Sequence, residues 1–398
     1  MTATGWELLD FIARWVHVIA GIMWVGNSLL FNWLDRSLRP PETAERGKKA
    51  LGTIWLLHSG GFYYVEKTLL SDERMPAPMH WFKWQAYTTW LSGMALLLVV
   101  YYFGNRAVLA DAAVRPLGHD AAVWIGLGSI AAGWILYETM QRWIAPHIPL
   151  LAAIVWIAGF TAIAVGLTQL LSGRAAFLHV GAMLGTIMAG NVFFTIVPSQ
   201  RELVASVTGT GSGSGAASAR AKRVSIHNNY FTFPVIALMV SGHFPAIYGN
   251  RWNWLLLIII VIGGAWVRHV LNSRFTRPGW QARLAVAMVA TTTAIYAIIG
   301  IPVAPSATPV NVPTNVSFED VRHIVDRRCS VCHSAQPVDL TFGPSPAGVS
   351  FDTPEQIRER VARINERAVV TKTMPPGNKT NITELERAML GRWIAQQK

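Results

Sequence analysis

Eight stretches of this chain are apolar over the length a helix needs to cross a bilayer. They run approximately from Trp6 to Leu34, Trp81 to Phe103, Ala121 to Met140, Pro149 to Leu171, Phe177 to Val197, Tyr230 to Tyr248, Trp252 to Val270 and Ala282 to Ile301. At about 1.5 Å of rise per residue, each reaches across a hydrocarbon core of roughly 30 Å. Only 14% of residues are charged, 52% are hydrophobic, and 17 are tryptophan. The expectation is an all-α chain, with a polytopic membrane bundle of about eight transmembrane helices over residues 1–302.

The last quarter reads differently. A proline-interrupted stretch from Pro302 to Pro313 overlaps a linker of residues 303–316, and its composition suits an extended tether. Beyond it, residues 317–398 carry three helix-start signals. Ser317-x-x-Asp320 and Thr383-x-x-Glu386 are capping boxes, and Thr353-Pro354 is an N-cap followed by proline at the first helical position. The first of these helices leads into Cys329-Ser-Val-Cys332-His333, which contains the only two cysteines of the chain.

Cys-x-x-Cys-His is the attachment signature of a covalent haem c, in which both thiols form thioethers and the adjacent histidine ligates the iron. A zinc site needs two further soft ligands, and no other cysteine supplies them. A thioredoxin-like pair belongs to a βαβ pattern, and these flanks read as helical. The expectation is therefore a class I cytochrome c domain. Met374, in Thr373-Met-Pro-Pro, is the expected sixth ligand, because the prolines hold the chain extended and leave the thioether free. Met389 is the alternative, and its place on the apolar face of the last helix suits a core residue.

Haem c is attached in bacteria on the periplasmic side, which places the C-terminus outside; eight spans place the N-terminus there too. The charges agree. The expected inside loops and helix ends carry seventeen lysines and arginines, Arg142, Arg223 and Arg268 among them, whereas the outside ones carry only Arg106, Arg115, Arg174 and Arg251. The bacterial inner membrane is the expected location. A cleavable signal peptide is not expected, since Met1 to Gly5 has no basic residue and the first apolar stretch runs on too long. Residues 317–398 hold 12 Lys and Arg against 10 Asp and Glu, so most of the net +12 falls in the membrane part. Charge placed on inside loops argues against nucleic acid as a partner. Ser206 to Ser218, with Gly-Thr-Gly-Ser-Gly-Ser-Gly inside, reads as a flexible loop.

Polar residues within apolar spans are costly and tend to be functional. On the first span Asp10, Arg14, His17, Gly21 and Trp24 recur at spacings of three and four, so they share one face. His17, His179 and His243 all fall in the expected outer half. Two readings stand for them. They ligate a b-type haem, with Arg14 near a propionate and Gly21 letting a flat ring approach; or Arg14 pairs with Asp10 and the histidines hydrogen-bond between helices.

A second polar set gathers toward the expected inner side. His58-Ser-Gly-Gly-Phe-Tyr63-Tyr64 is expected on an interfacial or re-entrant helix, Glu138 and Arg142 end the third span, and His227-Asn228-Asn229-Tyr230 opens the sixth. Such a set suits a planar anionic heterocycle, with Glu138, His58 and His227 as candidate proton acceptors and Arg142, Tyr63, Asn228 and Tyr230 as candidate contacts. The plainer reading makes Glu138 and Arg142 an intrahelical ion pair and His227 to Asn229 a helix start.

Four of these segments, Arg14-Trp-Val-His17-Val-Ile-Ala-Gly21-Ile-Met-Trp24, His58-Ser-Gly-Gly-Phe-Tyr63, His80-Trp-Phe-Lys-Trp-Gln85 and His227-Asn-Asn-Tyr230-Phe-Thr-Phe-Pro234, together resemble the membrane-bound, cytochrome c-type urate oxidases. The resemblance implies oxidation of urate to 5-hydroxyisourate, with electrons passed to the fused cytochrome and on to a soluble cytochrome c or terminal oxidase. Two rival readings come from other classes. One is an electron-transfer subunit that carries electrons from quinol to the cytochrome. The other is a transporter with a regulatory cytochrome.

Overall fold

The computed structural model describes residues 3–41, 50–68, 70, 76–104, 108–209, 215–301, 311–339 and 345–397. The chain is mostly helical. Helix α1 (Ala3–Ser37) is followed by a hairpin of β1 (Ala50–His58) and β2 (Gly61–Thr68), then by α2 (Trp84–Leu96), α3 (His119–Thr139), α4 (Pro149–Leu170), α5 (Gly173–Gly190), α6 (Val197–Val207) and α7 (Gly215–Val240). After a short turn come α8 (Pro245–Tyr248), α9 (Asn253–Ser273) and α10 (Trp280–Ile299). The C-terminal part contains α11 (Phe318–Arg328), α12 (Pro354–Glu359), α13 (Val361–Ile364) and α14 (Glu384–Gln396).

Among the described residues six helices are long and apolar enough to cross a membrane: Gly5–Ser37, His119–Ile144, Pro149–Leu170, Gly173–Val207, Asn253–Ser273 and Trp280–Ile299. The other two expected spans are helical but fall short of that measure. In Trp84–Tyr102 the residues Gln85, Thr88, Thr89 and Ser92 dilute the apolar run, and α7 begins with a basic half holding Arg220, Lys222 and Arg223. Helix α1 leaves Phe11, Trp15 and Ile22 exposed, as a membrane-spanning helix would toward lipid.

Helix α5 is the axis of the bundle. Phe177, Val180, Met183, Leu184 and Ile187 are completely or almost completely buried, packed within a core that also takes residues from α3, α4 and α9. The approach of α3 is close because Gly126 faces the helix: a Cβ there would stand 2.5 Å from His179 Nε2. Three helices loosen into π turns, at Leu97–Tyr102, Met140–Ile144 and Asn191–Ile196. Such turns concentrate at functional sites because the widened ladder re-aims the side chains around it.

Two expectations need correction. The segment at His58 is a β-hairpin, not a helix, so the chain is not wholly α. Ser59 and Gly60 both have positive φ, 51° and 76°, as a two-residue hairpin turn demands, and the aromatic and β-branched residues on either side pair in register from Ile54↔Val65 to His58↔Gly61. The Ser206–Ser218 loop is also shorter than expected, since α6 runs to Val207 and α7 starts at Gly215; residues 210–214 lie outside the described residues. Most of the Pro302–Pro313 tether, residues 302–310, lies outside them as well.

The C-terminal residues form a second apolar cluster, built from Val321, Ile324 and Val325 of α11, Ile357 of α12 and Leu390, Trp393 and Ile394 of α14. All three expected caps form. Ser317 and Asp320 exchange hydrogen bonds at 3.2 and 2.9 Å, and Thr353 with Gln356 and Thr383 with Glu386 repeat the reciprocal box. Met389 packs against this cluster, as its apolar-face position implied.

Among the described residues, this unit meets the bundle at residues 367–373. Arg367 donates to the Tyr248 hydroxyl at 3.4 Å, and the backbone at Gly249 approaches Thr371 and Thr373 so closely that a Cβ would stand 2.5 Å from Thr373 Cγ2. Gly249→Val is therefore expected to open the contact. Overpacking of this kind costs about 1–3 kcal/mol, so amide exchange at 371–374 should accelerate by about tenfold or more while α5 stays protected. Unchanged exchange in that loop would show that the seat does not hold the two parts together.

Candidate functional site

The α3, α5 and α7 helices bring four polar side chains together at the end of the bundle away from Gly249. Tyr137 of α3 is hydrogen-bonded to His227 Nδ1 at 2.8 Å, Asn191 Nδ2 reaches the Tyr137 hydroxyl at 3.0 Å and Asn228 Oδ1 at 2.8 Å, and Asn228 Nδ2 donates to the Met188 carbonyl at 3.0 Å. Tyr137, Asn191 and Asn228 are buried and His227 is half-buried. Trp156 and Phe231 wall the group, with ring centroids 5.8 and 6.2 Å from Tyr137.

The direction of every hydrogen bond in this chain follows from its anchored end. A backbone carbonyl only accepts, so Asn228 turns its amide nitrogen to Met188 and its oxygen to Asn191. Asn191 must then offer nitrogen to both Asn228 and Tyr137. The Tyr137 oxygen accepts that bond, so its own proton points to His227 Nδ1, and neutral His227 carries its proton on Nε2. Two consequences follow. The Asn191 oxygen is left buried without a partner, and Tyr137 with His227 forms a hydrogen-bonded pair whose geometry would let the imidazole accept the phenolic proton. Arg223 lies one turn before His227 on α7; its Nη2 donates to the Gln141 carbonyl at 3.3 Å, while its Nε and the Gln141 side-chain oxygen are buried and unpaired. A cation, an amide acceptor and a phenol–imidazole pair thus converge where π turns follow Tyr137 and begin at Asn191.

Of the inner residues expected from sequence, the structure brings only His227 and Asn228 into this group. Residues His58 and Tyr63 sit exposed on the hairpin, which packs on the end of α1 through the Arg39–Thr53 pairing. Glu138 and Arg142 stand 4.0 Å apart along their own helix, with Arg142 mostly exposed, so the ion-pair reading describes them. Tyr230 turns to the opposite neighbour and bonds His269 Nδ1 at 2.8 Å. His227 is not at a helix start, since α7 begins twelve residues earlier. Arg268, counted above among the loop charges, is 2% exposed within α9. Tyr137, Asn191, Arg223 and Arg268 escaped the sequence reading, although Asn191 and Arg268 carried the signal: each is polar inside an apolar stretch.

The outer histidines His17 and His179 are engaged in hydrogen bonds to the span Trp84–Tyr102. His17 Nδ1 lies 2.9 Å from the Thr89 carbonyl and 3.1 Å from Ser92 Oγ of α2. His179, fully buried, donates from Nδ1 to the Ala175 carbonyl at 2.8 Å and accepts at Nε2 from the Tyr102 hydroxyl at 2.9 Å. His243 is exposed in the turn after α7, and Arg14 pairs with Asp10 at 2.6 Å. With both nitrogens of His179 engaged, Thr89 packed against Gly21 and Gly93 against His17, the arrangement does not fit a haem b; it matches the interhelical hydrogen-bonding alternative.

At the other end of the chain the donor set does fit a covalent haem c. Both cysteines are free thiols, and burial pushes the Cys329 thiol up to about 12. His333 donates from Nδ1 to the Val349 carbonyl at 3.1 Å, which would leave Nε2 to serve a haem iron, and its ring meets Phe351 edge-on at 5.5 Å. Met374 is half-buried; its backbone N–H donates to the Arg367 carbonyl at 2.9 Å, and buried Arg387 donates to the carbonyls of Ala368 and Met374. The loop is pinned by its backbone, and the Met374 thioether is left uncommitted. Among the described residues no three His, Cys, Asp or Glu gather to hold a bare metal ion.

No curated protein and no solved structure matches this chain. A family model does, described as urate oxidase N-terminal, and it covers residues 3–300, from the first turn of α1 to the end of α10. It takes in every helix that builds the Tyr137–His227 group and stops before the cysteine motif. With more than half of its length matched, the chain belongs to the urate oxidase N-terminal family.

Proposed function

We propose that this chain oxidises urate to 5-hydroxyisourate in its helical bundle and delivers the electrons to a haem c in its C-terminal domain. Family membership over residues 3–300 is the observation that carries the substrate; the Cys329-x-x-Cys332-His333 motif carries the acceptor. The reaction adds water at a ring carbon: a C–O bond forms, and two protons and two electrons leave. Haem c, attached through Cys329 and Cys332 and held by His333 and Met374, supplies a one-electron sink when bound.

The residues of the bundle do the rest. The unpaired Asn191 oxygen accepts an N–H from the ring, Arg223 balances the anion, and Trp156 and Phe231 exclude water from the far side. Tyr137 takes a proton as its own passes to His227 Nδ1, and His227 Nε2–H hands the charge onward to solvent. Electrons leave singly through the haem c for a respiratory acceptor such as a soluble cytochrome c or a terminal oxidase. This reading uses eight spans, with both termini on the periplasmic side of a bacterial inner membrane, so that the basic half of α7 faces the cytoplasm.

Anaerobic mixing of the oxidised protein with urate tests it. Two haem c centres should be reduced for each urate lost, and xanthine should reduce none. Reduction by quinol with no response to urate would replace this reading with the electron-transfer alternative.

A further inference from the structure

A second buried group lies on the other side of α7. Asn228 faces α5, and its neighbour Asn229 faces α9, where Arg268 Nε donates to Asn229 Oδ1 at 2.9 Å and Asn272 Nδ2 donates to the same oxygen at 2.7 Å. Arg268 is 2% exposed and Asn272 7%. A guanidinium has donors only, so it sets the orientation of both amides: Asn229 must show it oxygen, and Asn272, sharing that oxygen, must show nitrogen. What remains is a buried donor, Arg268 Nη2, and a buried acceptor, Asn272 Oδ1, neither with a partner. No carboxylate pairs with Arg268 among the described residues. Arg36 and Arg274 stand close enough to add to the positive field instead, and the guanidinium lies 5.3 Å from the Phe233 ring.

An unpaired charge and an unpaired amide oxygen side by side are both expensive to bury, and one ligand relieves both. We propose that Arg268, Asn229 and Asn272 form a second binding site, for a planar anion that presents a carbonyl oxygen next to an N–H. Arg268 takes the oxygen and the negative charge, Asn272 takes the N–H, and Phe233 lines the site. Oxypurine anions have that lactam edge; sulfate and chloride, which carry no proton to donate, satisfy only the arginine. The site is separate from the Tyr137–His227 group, because α7 stands between them, and the adjacent amides of Asn228 and Asn229 give the two a common wall. The choice of urate as ligand rests on the function proposed above, whereas the orphaned pair does not.

The test is equilibrium dialysis of the full-length, haem-loaded protein, fully reduced so that no turnover occurs, with labelled urate in nanodiscs. Wild type should bind two urates. R268Q should bind one, and N272L, which keeps the cation and removes the acceptor, should weaken one site by about ten- to a hundredfold. Sulfate at tenfold excess should displace neither. Thermal unfolding without urate should be unchanged or later in R268Q, since an unpaired buried charge is gone, and the part of the urate-induced shift owed to this site should disappear. If wild type binds a single urate that R268Q and N272L leave unaffected, this site does not exist and the catalytic reading stands. Wild type that binds no urate sinks both.

Discussion

Protein carrying Cys329→Ala and Cys332→Ala together should lose all haem that survives denaturing electrophoresis, and with it urate-dependent electron delivery. The fall in turnover should reach at least about 10³-fold, because an acceleration of about 10⁶ or more has no route without its electron sink. Urate binding should persist, since the family-matched bundle ends at residue 300, ahead of the motif. The C-terminal part should also lose stability: its apolar cluster draws on only four short helices, and a unit of this size relies on a cofactor to complete its core. Met374→Ala separates attachment from ligation. It should keep the thioethers and remove the methionine-to-iron absorption band, and if the band survives, Met389 becomes the ligand to test. A double alanine variant that still stains for covalent haem would overturn the assignment.

Tyr137→Phe should lower kcat for urate by about 10² to 10⁴, the range spanned by removal of a positioned acid or base. Urate affinity should move much less. The substitution leaves His227 Nδ1 and one Asn191 N–H unmatched in a buried place, so a stability loss of about 1–3 kcal/mol should accompany it. His227→Gln should match it in kcat. Because the two side chains act as one relay, the double variant should be little worse than either alone. A Tyr137→Phe protein with unchanged kcat would remove the relay from the mechanism and return attention to Glu138 and His58, the other proton acceptors that the sequence offered.

The parts legible in the sequence were those written in short-range terms. The capping boxes at Ser317 and Thr383 and the N-cap at Thr353 involve residues at most three apart, and each is formed; Gln356 completes a box at Thr353 as well. The ion pair of Glu138 and Arg142 spans one helical turn and was equally visible. The hairpin at His58 was misread because Ser-Gly is a weaker turn signal than Asn-Gly and its aromatic flanks also suit an interfacial helix. His17 and His179 share a depth in the sequence pattern, and depth does not give their partners: both hydrogen-bond the span Trp84–Tyr102, His17 at Thr89 and Ser92 and His179 at Tyr102.

By itself, then, the sequence determined that most of this chain is apolar helix, that three helices near the C-terminus start where their caps stand, and that a Cys-x-x-Cys-His motif follows the first of them. Those properties depend on side-chain periods and spacings of a few residues, which the covalent chain imposes directly. Only the tertiary structure decided which buried polar groups meet. Tyr137, Asn191 and His227 come from three helices and are as much as ninety residues apart, and Asn228 and Asn229, adjacent in sequence, serve different partners because successive residues of a helix point about 100° apart. Which face of α7 meets α5 and which meets α9 is set by packing over the whole bundle, and no local pattern encodes it.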